Sequence, residues 1–242
     1  MPESELWITR IFNDTLPGLG NAALQLVGLP PQPRPWADFV VMQILVAVLL
    51  MLVAVLLRSR LSVDRPGKLQ HTCELIYEFV RGQGEDQVGH GSARYLAYFG
   101  TIFLFILTCN LIGLIPAFQS PTKNPSVTCG CALATFAYYN LMGIRAHGFK
   151  YILHFLGPQW WLAPLMFPIE IISHLARALS LTVRLYANMF AGEQVTLVFL
   201  QMTKFLIPVA FMGLHLFVGV VQAYIFMLLT MAYVGSAVAE EH

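Results

Sequence analysis

Eight side chains of this sequence have types and spacings that suit proton transfer across a membrane. Glu170, Ser173, His174, Arg184, Asn188 and Glu193 lie in one mostly apolar stretch, PIEIISHLARALSLTVRLYANMFAGE, and His215 and Gln222 lie in a later one. Carboxylate and imidazole groups can hold or release a proton near neutral pH once their surroundings shift them. On a helix turning about 100° per residue, Glu170, His174, Arg177, Arg184 and Asn188 fall within roughly 80° of one another. Arg184 comes fourteen residues after Glu170, about 21 Å along a helix axis. Asn188 and Glu193 lie beyond it. His215 and Gln222 are seven residues apart and share a helix face, with Gly219 between them. That glycine lets a neighbouring helix approach closely. The result is one polar cluster on each side of a cation that does not lose its proton.

Each of these groups also has a plainer reading. Glu193 and His215 are either a coupled relay or a structural pair joining two helices. Glu170 and His174 are either on an ion path or simply interfacial. Gln222 either stabilises Arg184 across a helix pair or bridges two helices. Arg177 suits snorkelling or lipid contact, and Asn110 and Asn140 suit helix–helix hydrogen bonding. For Arg184 the plain reading is a packing ion pair, since its mid-span position argues against snorkelling. No carboxylate lies within one helical turn of it, so its partner must come from another helix or another chain.

The elements that hold these groups are membrane spans. Of 242 residues, 57% are hydrophobic and 11% charged, against about 25% charged in a soluble domain. The net charge of +1 points to neither an acidic partner nor nucleic acid. Cys73, Cys109, Cys129 and Cys131 sit in or beside apolar segments and are expected as ordinary small residues, with no metal and no cofactor. Residues 1–36 carry Glu3, Glu5 and Asp14 and end in PPQPRP, which predicts an extended extracytoplasmic strap. Nothing there has the layout of a signal peptide.

Phe39 to Leu57 is a run of 19 uncharged residues, a first transmembrane helix. Arg58, Arg60, Arg65 and Lys68 follow it and predict a cytoplasmic end. Residues 68–92 predict an amphipathic helix on the cytoplasmic face, broken by GQGEDQVGHG, with His90 as a solvated loop residue. Further spans are expected at about 95–116, 127–144, 164–200 and 209–236. Arg145, His147 and Lys150 again mark the cytoplasm after the third, with Trp160 and Trp161 near that interface. Pro164 suits a helix first turn. Residues 164–200 would make about 55 Å of helix against a core of about 30 Å, so this span must tilt strongly. Lys204 and Pro208 mark the outer turn. The fold class is therefore an all-α membrane protein of about five transmembrane helices in a single integral membrane domain, 1–242. It includes a long tilted hairpin of helices four and five and a cytoplasmic amphipathic helix.

SLTVRLYANMFAGE, together with HLFVGVVQAYIFMLLTMAY and the terminal EEH, resembles subunit a of the rotary F-type ATP synthase, bacterial type. The likeness is strong over about 164–242 and looser over 36–163. An Arg with Asn at +4 and Glu at +9, then a His and a Gln seven apart, is the pattern that carries it. The resemblance implies a stator subunit in the bacterial plasma membrane, N-terminus outside and C-terminus cytoplasmic. Its implied partners are a c-ring bearing mid-membrane carboxylates, peripheral-stalk b subunits and membrane lipid. It implies that protons enter past Asn188, Glu193, His215 and Gln222 to a ring carboxylate. They leave past Ser180, Ser173, His174 and Glu170, while Arg184 separates the two paths. No GxxxxGK loop is present, so nucleotide chemistry would belong to partner subunits. The family often has an acid in the outer loop after the second span. Here that loop reads PTKNPS, with Asn124 in its place and Lys123 before it.

Three other readings stay open at this stage. They are an Na+-carrying version of the same subunit, an unrelated secondary transporter and a purely structural assembly subunit. A transporter would usually show repeated halves with broken helices, and a structural subunit leaves the aligned charges without a purpose.

Overall fold

In the computed structural model the described residues are 6–26, 28, 30–62, 67–89, 91–115, 118–148, 163–202 and 206–238. Arg65, His90, Lys150, Trp160, Trp161, Lys204 and the terminal EEH lie outside them. Among the described residues the protein is all α-helix with two short 3-10 turns, and it is a multi-pass membrane protein. Helices suit this sequence because a chain in lipid must satisfy its own backbone hydrogen bonds.

The amino-terminal region departs from the extended strap. Helices α1 (Trp7–Thr15) and α2 (Pro17–Leu26) precede the proline run. Pro17 at the first position of α2 suits a helix start, so only the later prolines hold the chain extended. Asn13 anchors the run by accepting from the Trp36 backbone N–H at 3.0 Å. Trp36 Nε1 donates to the Leu16 carbonyl at 2.8 Å.

Helix α3 (Asp38–Ser59) is the first span, and most of one face, including Val48, Met51, Leu52 and Val55, points outwards. Helix α4 (Lys68–Val88) is the amphipathic helix, but GQGEDQVGHG does not break it at Gly82. The helix runs through Gly84, where Ser92 and Leu96 approach closely. It stops only at Gly89, whose φ of 81° is a left-handed conformation that favours glycine. Helix α5 (Leu96–Ile112) ends earlier than the expected span. A Cβ on Gly113 would lie 2.5 Å from the Ser120 Cβ, so the chain doubles back here. Helix α6 (Pro125–His147) follows, with Asn124 as its N-cap accepting from the Ser126 N–H at 2.9 Å. Asn124 therefore has a capping role that its reading as a replaced acid did not include.

Helices α7 (Ala163–Met202) and α8 (Leu206–Val238) have 40 and 33 residues. At about 1.5 Å per residue they run to roughly 60 and 50 Å, far more than a straight crossing needs. Helix α8 is central and touches α4, α5, α6 and α7. The core packs between them, through Phe99, Ile106, Tyr139, Leu185, Met189, Phe226, Met227 and Met231. Lipid is as apolar as this core, so close packing and interhelical hydrogen bonds hold the helices together. Asn110 provides one such bond. Its Nδ2 donates to the Gly219 carbonyl at 2.9 Å, and its Oδ1 accepts from Thr122 Oγ1 at 2.7 Å. Asn140 Nδ2 donates to the Phe136 carbonyl of its own helix at 2.7 Å.

Candidate functional site

Helix α7 carries the expected groups in order, and its two faces differ. Leu181, Leu185 and Met189 are buried against the bundle. Ile172, Ala176, Leu179, Ser180, Val183, Ala187 and Phe190 are exposed. The polar stripe runs along the border between these faces. Ser173 and Arg184 are half-buried there. Arg184 Nη2 lies 3.4 Å from Ser180 Oγ. Among the described residues, no carboxylate pairs with Arg184 within 4.0 Å.

Towards the amino-terminal end of α7, Glu170 and His174 meet. His174 Nε2 lies 3.2 Å from Glu170 Oε1, one helical turn back. The imidazole is buried, and its Nδ1 is 2.7 Å from the hydroxyl of Tyr139 on α6. Sequence reasoning did not select Tyr139. Arg177 lies over the Tyr233 ring of α8, with Cζ 5.5 Å from the centroid. This cation–π contact places Arg177 against the bundle, and the snorkelling reading did not anticipate it.

Beyond Arg184 the structure joins α7 to α8. Asn188 Nδ2 donates to Gln222 Oε1 at 2.7 Å. Gln222 is buried and bridges the helices. The His215 ring lies against Gly192, where a Cβ would come within 3.1 Å of Nδ1. His215 and Glu193 therefore share a depth. Glu193 pairs with Lys123, however, with Oε1 3.1 Å from Nζ and both side chains part-buried. No ion pair between Glu193 and His215 is present among the described residues. Lys123 was visible in the sequence only as a loop cation, because its partner is 70 positions away.

A cleft of about 310 Å³ opens beside this pair, lined by Asp38, Phe39, Gln119, Ser120, Lys123, Asn124, Phe190 and Gln194. The loop lacks an acid, but Asp38 in the first turn of α3 brings one to the same cleft. Its Oδ1 accepts from the Leu6 N–H at 3.2 Å. A carboxylate heading a transmembrane run was the available signal for it.

The arrangement thus has two polar clusters and a cation between them without a carboxylate partner among the described residues. The family model of the ATP synthase A chain matches residues 40–235. ATP synthase subunit a of Solibacter usitatus (strain Ellin6076) is 59% identical over 233 residues, covering 96% of this chain and all of the relative. That of Koribacter versatilis (strain Ellin345) is 49% identical, with 98% of each chain covered. That of Geobacter sulfurreducens is 40% identical over 206 residues, covering 85% of this chain and 90% of the relative.

Proposed function

This chain belongs to the ATP synthase A chain family, and we propose that it is the proton-channel stator subunit of the membrane sector, moving protons by the path its polar side chains lay out. It has no catalytic site of its own, and it works as part of the ATP synthase complex. Each polar cluster contains an imidazole, which exchanges protons near neutral pH, and this favours H+ over Na+ as the transported ion.

In this reading the outer path starts at the cleft that holds Asp38 and passes Glu193, His215, Asn188 and Gln222. The inner path runs past Ser180, Ser173, His174 and Glu170. Between them a carboxylate on a rotating c-ring meets Arg184, which attracts its ionised form and bars direct passage. That attraction must be transient, or the ring would stall. The drive is about 2.3 kcal/mol per charge for each 100 mV. The observation that carries this is Arg184. It is a permanent cation at membrane depth, at the edge of an exposed apolar face, with no carboxylate partner among the described residues. Ala176, Ser180, Ala187 and Ala191 keep that face low, so that a partner helix can come close. Peripheral-stalk b subunits complete the proposed contacts on the stator side.

The test is disulfide cross-linking in native membranes between Ala187→Cys and single cysteines placed along the outer helix of the c subunit. Cross-links in register with the ring carboxylate are expected. Their absence there, with cross-links elsewhere on the same c helix, would remove this face from the ring contact.

For orientation we propose an outside N-terminus and a cytoplasmic C-terminus, supported by Arg58 and Arg60 at the end of α3 and Arg145 and His147 in the last turn of α6. Single cysteines at Ser62 and His147 should react with an impermeant thiol reagent only from the cytoplasmic side of vesicles. Labelling from the outside at either position contradicts the orientation.

A further inference from the structure

The inner cluster holds a group that the path above does not use. Tyr139 is only 1% exposed, yet its hydroxyl is 2.7 Å from His174 Nδ1. The two rings stack with centroids 5.6 Å apart. Phe136 of α6 meets the same imidazole edge-on at 6.4 Å, and Tyr233 of α8 backs Tyr139 at 5.9 Å. Charged groups nearby among the described residues include Glu170, on the same helix as His174, and Arg177, whose guanidinium lies over Tyr233.

Resting on the inner-path reading, we propose that Tyr139 is a positioning residue for proton exit: its hydroxyl, donating to Nδ1, holds the His174 ring in the orientation that aims Nε2 at Glu170. The bond pattern gives the reason. An ionised carboxylate only accepts hydrogen bonds, whereas a phenol can donate one. Neutral imidazole has one donor and one acceptor nitrogen, and the hydrogen bond at one nitrogen sets the state of the other. With Glu170 ionised at Nε2, that nitrogen must carry the proton, and Nδ1 must accept from the Tyr139 hydroxyl. The other tautomer would set the Nε2 lone pair against a carboxylate oxygen 3.2 Å away. The buried site holds this choice firmly, because a buried polar group that loses its partner is costly. The aromatic stack alone would orient the ring plane but could not choose between its two nitrogens.

Tyr139→Phe keeps the stack and removes only the hydroxyl. The assembled complex, with ring-15N histidine in this subunit alone, would be reconstituted in lipid vesicles and examined by solid-state NMR. His174 is assigned from the spectrum lost in His174→Gln, and ATP-driven proton pumping is measured on the same vesicles. The expected result is one set of His174 ring signals, with Nε2 protonated and bonded to Glu170, in the parent, and a second set from the flipped ring in Tyr139→Phe. Pumping should fall by about tenfold, less than on removal of the histidine itself. A single set with Nε2 still bonded to Glu170 in Tyr139→Phe overturns the proposal. So does a second set with full pumping, provided that His174→Gln blocks pumping. Full pumping in His174→Gln overturns instead the inner path on which the proposal rests.

Discussion

Arg184→Ala should abolish proton-driven ATP synthesis while leaving the subunit folded and in its complex. The side chain has no carboxylate partner among the described residues, and its contact with Ser180 at 3.4 Å is a long one. Its removal therefore strands no carboxylate among the described residues and relieves the cost of a charge at membrane depth. What is lost is the attraction for a ring carboxylate. Breaking a buried ion pair costs about 3–5 kcal/mol, and about 1.4 kcal/mol is tenfold, so synthesis should fall by a hundredfold or more. Passive proton flux should persist or rise, since the barrier between the two clusters goes with the cation. Arg184→Lys should fail as well. Lysine is a compact charge that deprotonates more readily when desolvated, whereas guanidinium stays charged and can engage both carboxylate oxygens. The measurement is proton flux into vesicles alongside ATP synthesis, with co-purification as the check on assembly. Normal synthesis in the alanine variant would make Arg184 a packing residue.

The second large effect concerns Glu193, and Lys123 makes it separable into two parts. Glu193→Gln removes both a proton-carrying carboxylate and the anion that Lys123 contacts at 3.1 Å. The Lys123 side chain is 19% exposed, and a part-buried ammonium without its anion is destabilising. The single variant should therefore lose transport by about tenfold or more and also reduce the amount of assembled subunit. Adding Lys123→Met removes the stranded charge. The double variant should regain assembly, read by co-purification, without regaining transport, read by proton flux. If transport returns along with assembly, Glu193 is a structural staple and the outer relay must do without it. Lys123→Met alone leaves the carboxylate in place and should keep most of the transport.

Much of this follows from short-range order in the sequence. Helix periodicity put Glu170, His174, Arg177, Arg184 and Asn188 on one stripe. The length of the apolar runs marked the spans, and the absence of a carboxylate within one turn of Arg184 sent its partner elsewhere. Such features depend on neighbours three to seven residues apart, which the geometry of a helix fixes without help. The N-terminal helices and the full length of α4 were harder to read. Single prolines and glycines act locally, and whether a glycine breaks a helix or lets another chain segment approach depends on what packs there.

Tertiary structure alone decided who meets whom across helices. Lys123 reaches Glu193 over 70 positions, and Tyr139 reaches His174 over 35. Asp38 comes to the cleft that the loop left without an acid. Arg177 turns onto Tyr233. Lipid gives no hydrophobic preference for one helix pairing over another, so small residues and single hydrogen bonds set the register. Those contacts are scattered along the chain, and no local pattern records them. The sequence determined that the polar groups lie on two helices at ordered depths on either side of Arg184, and the packing of α6, α7 and α8 determined which of them touch.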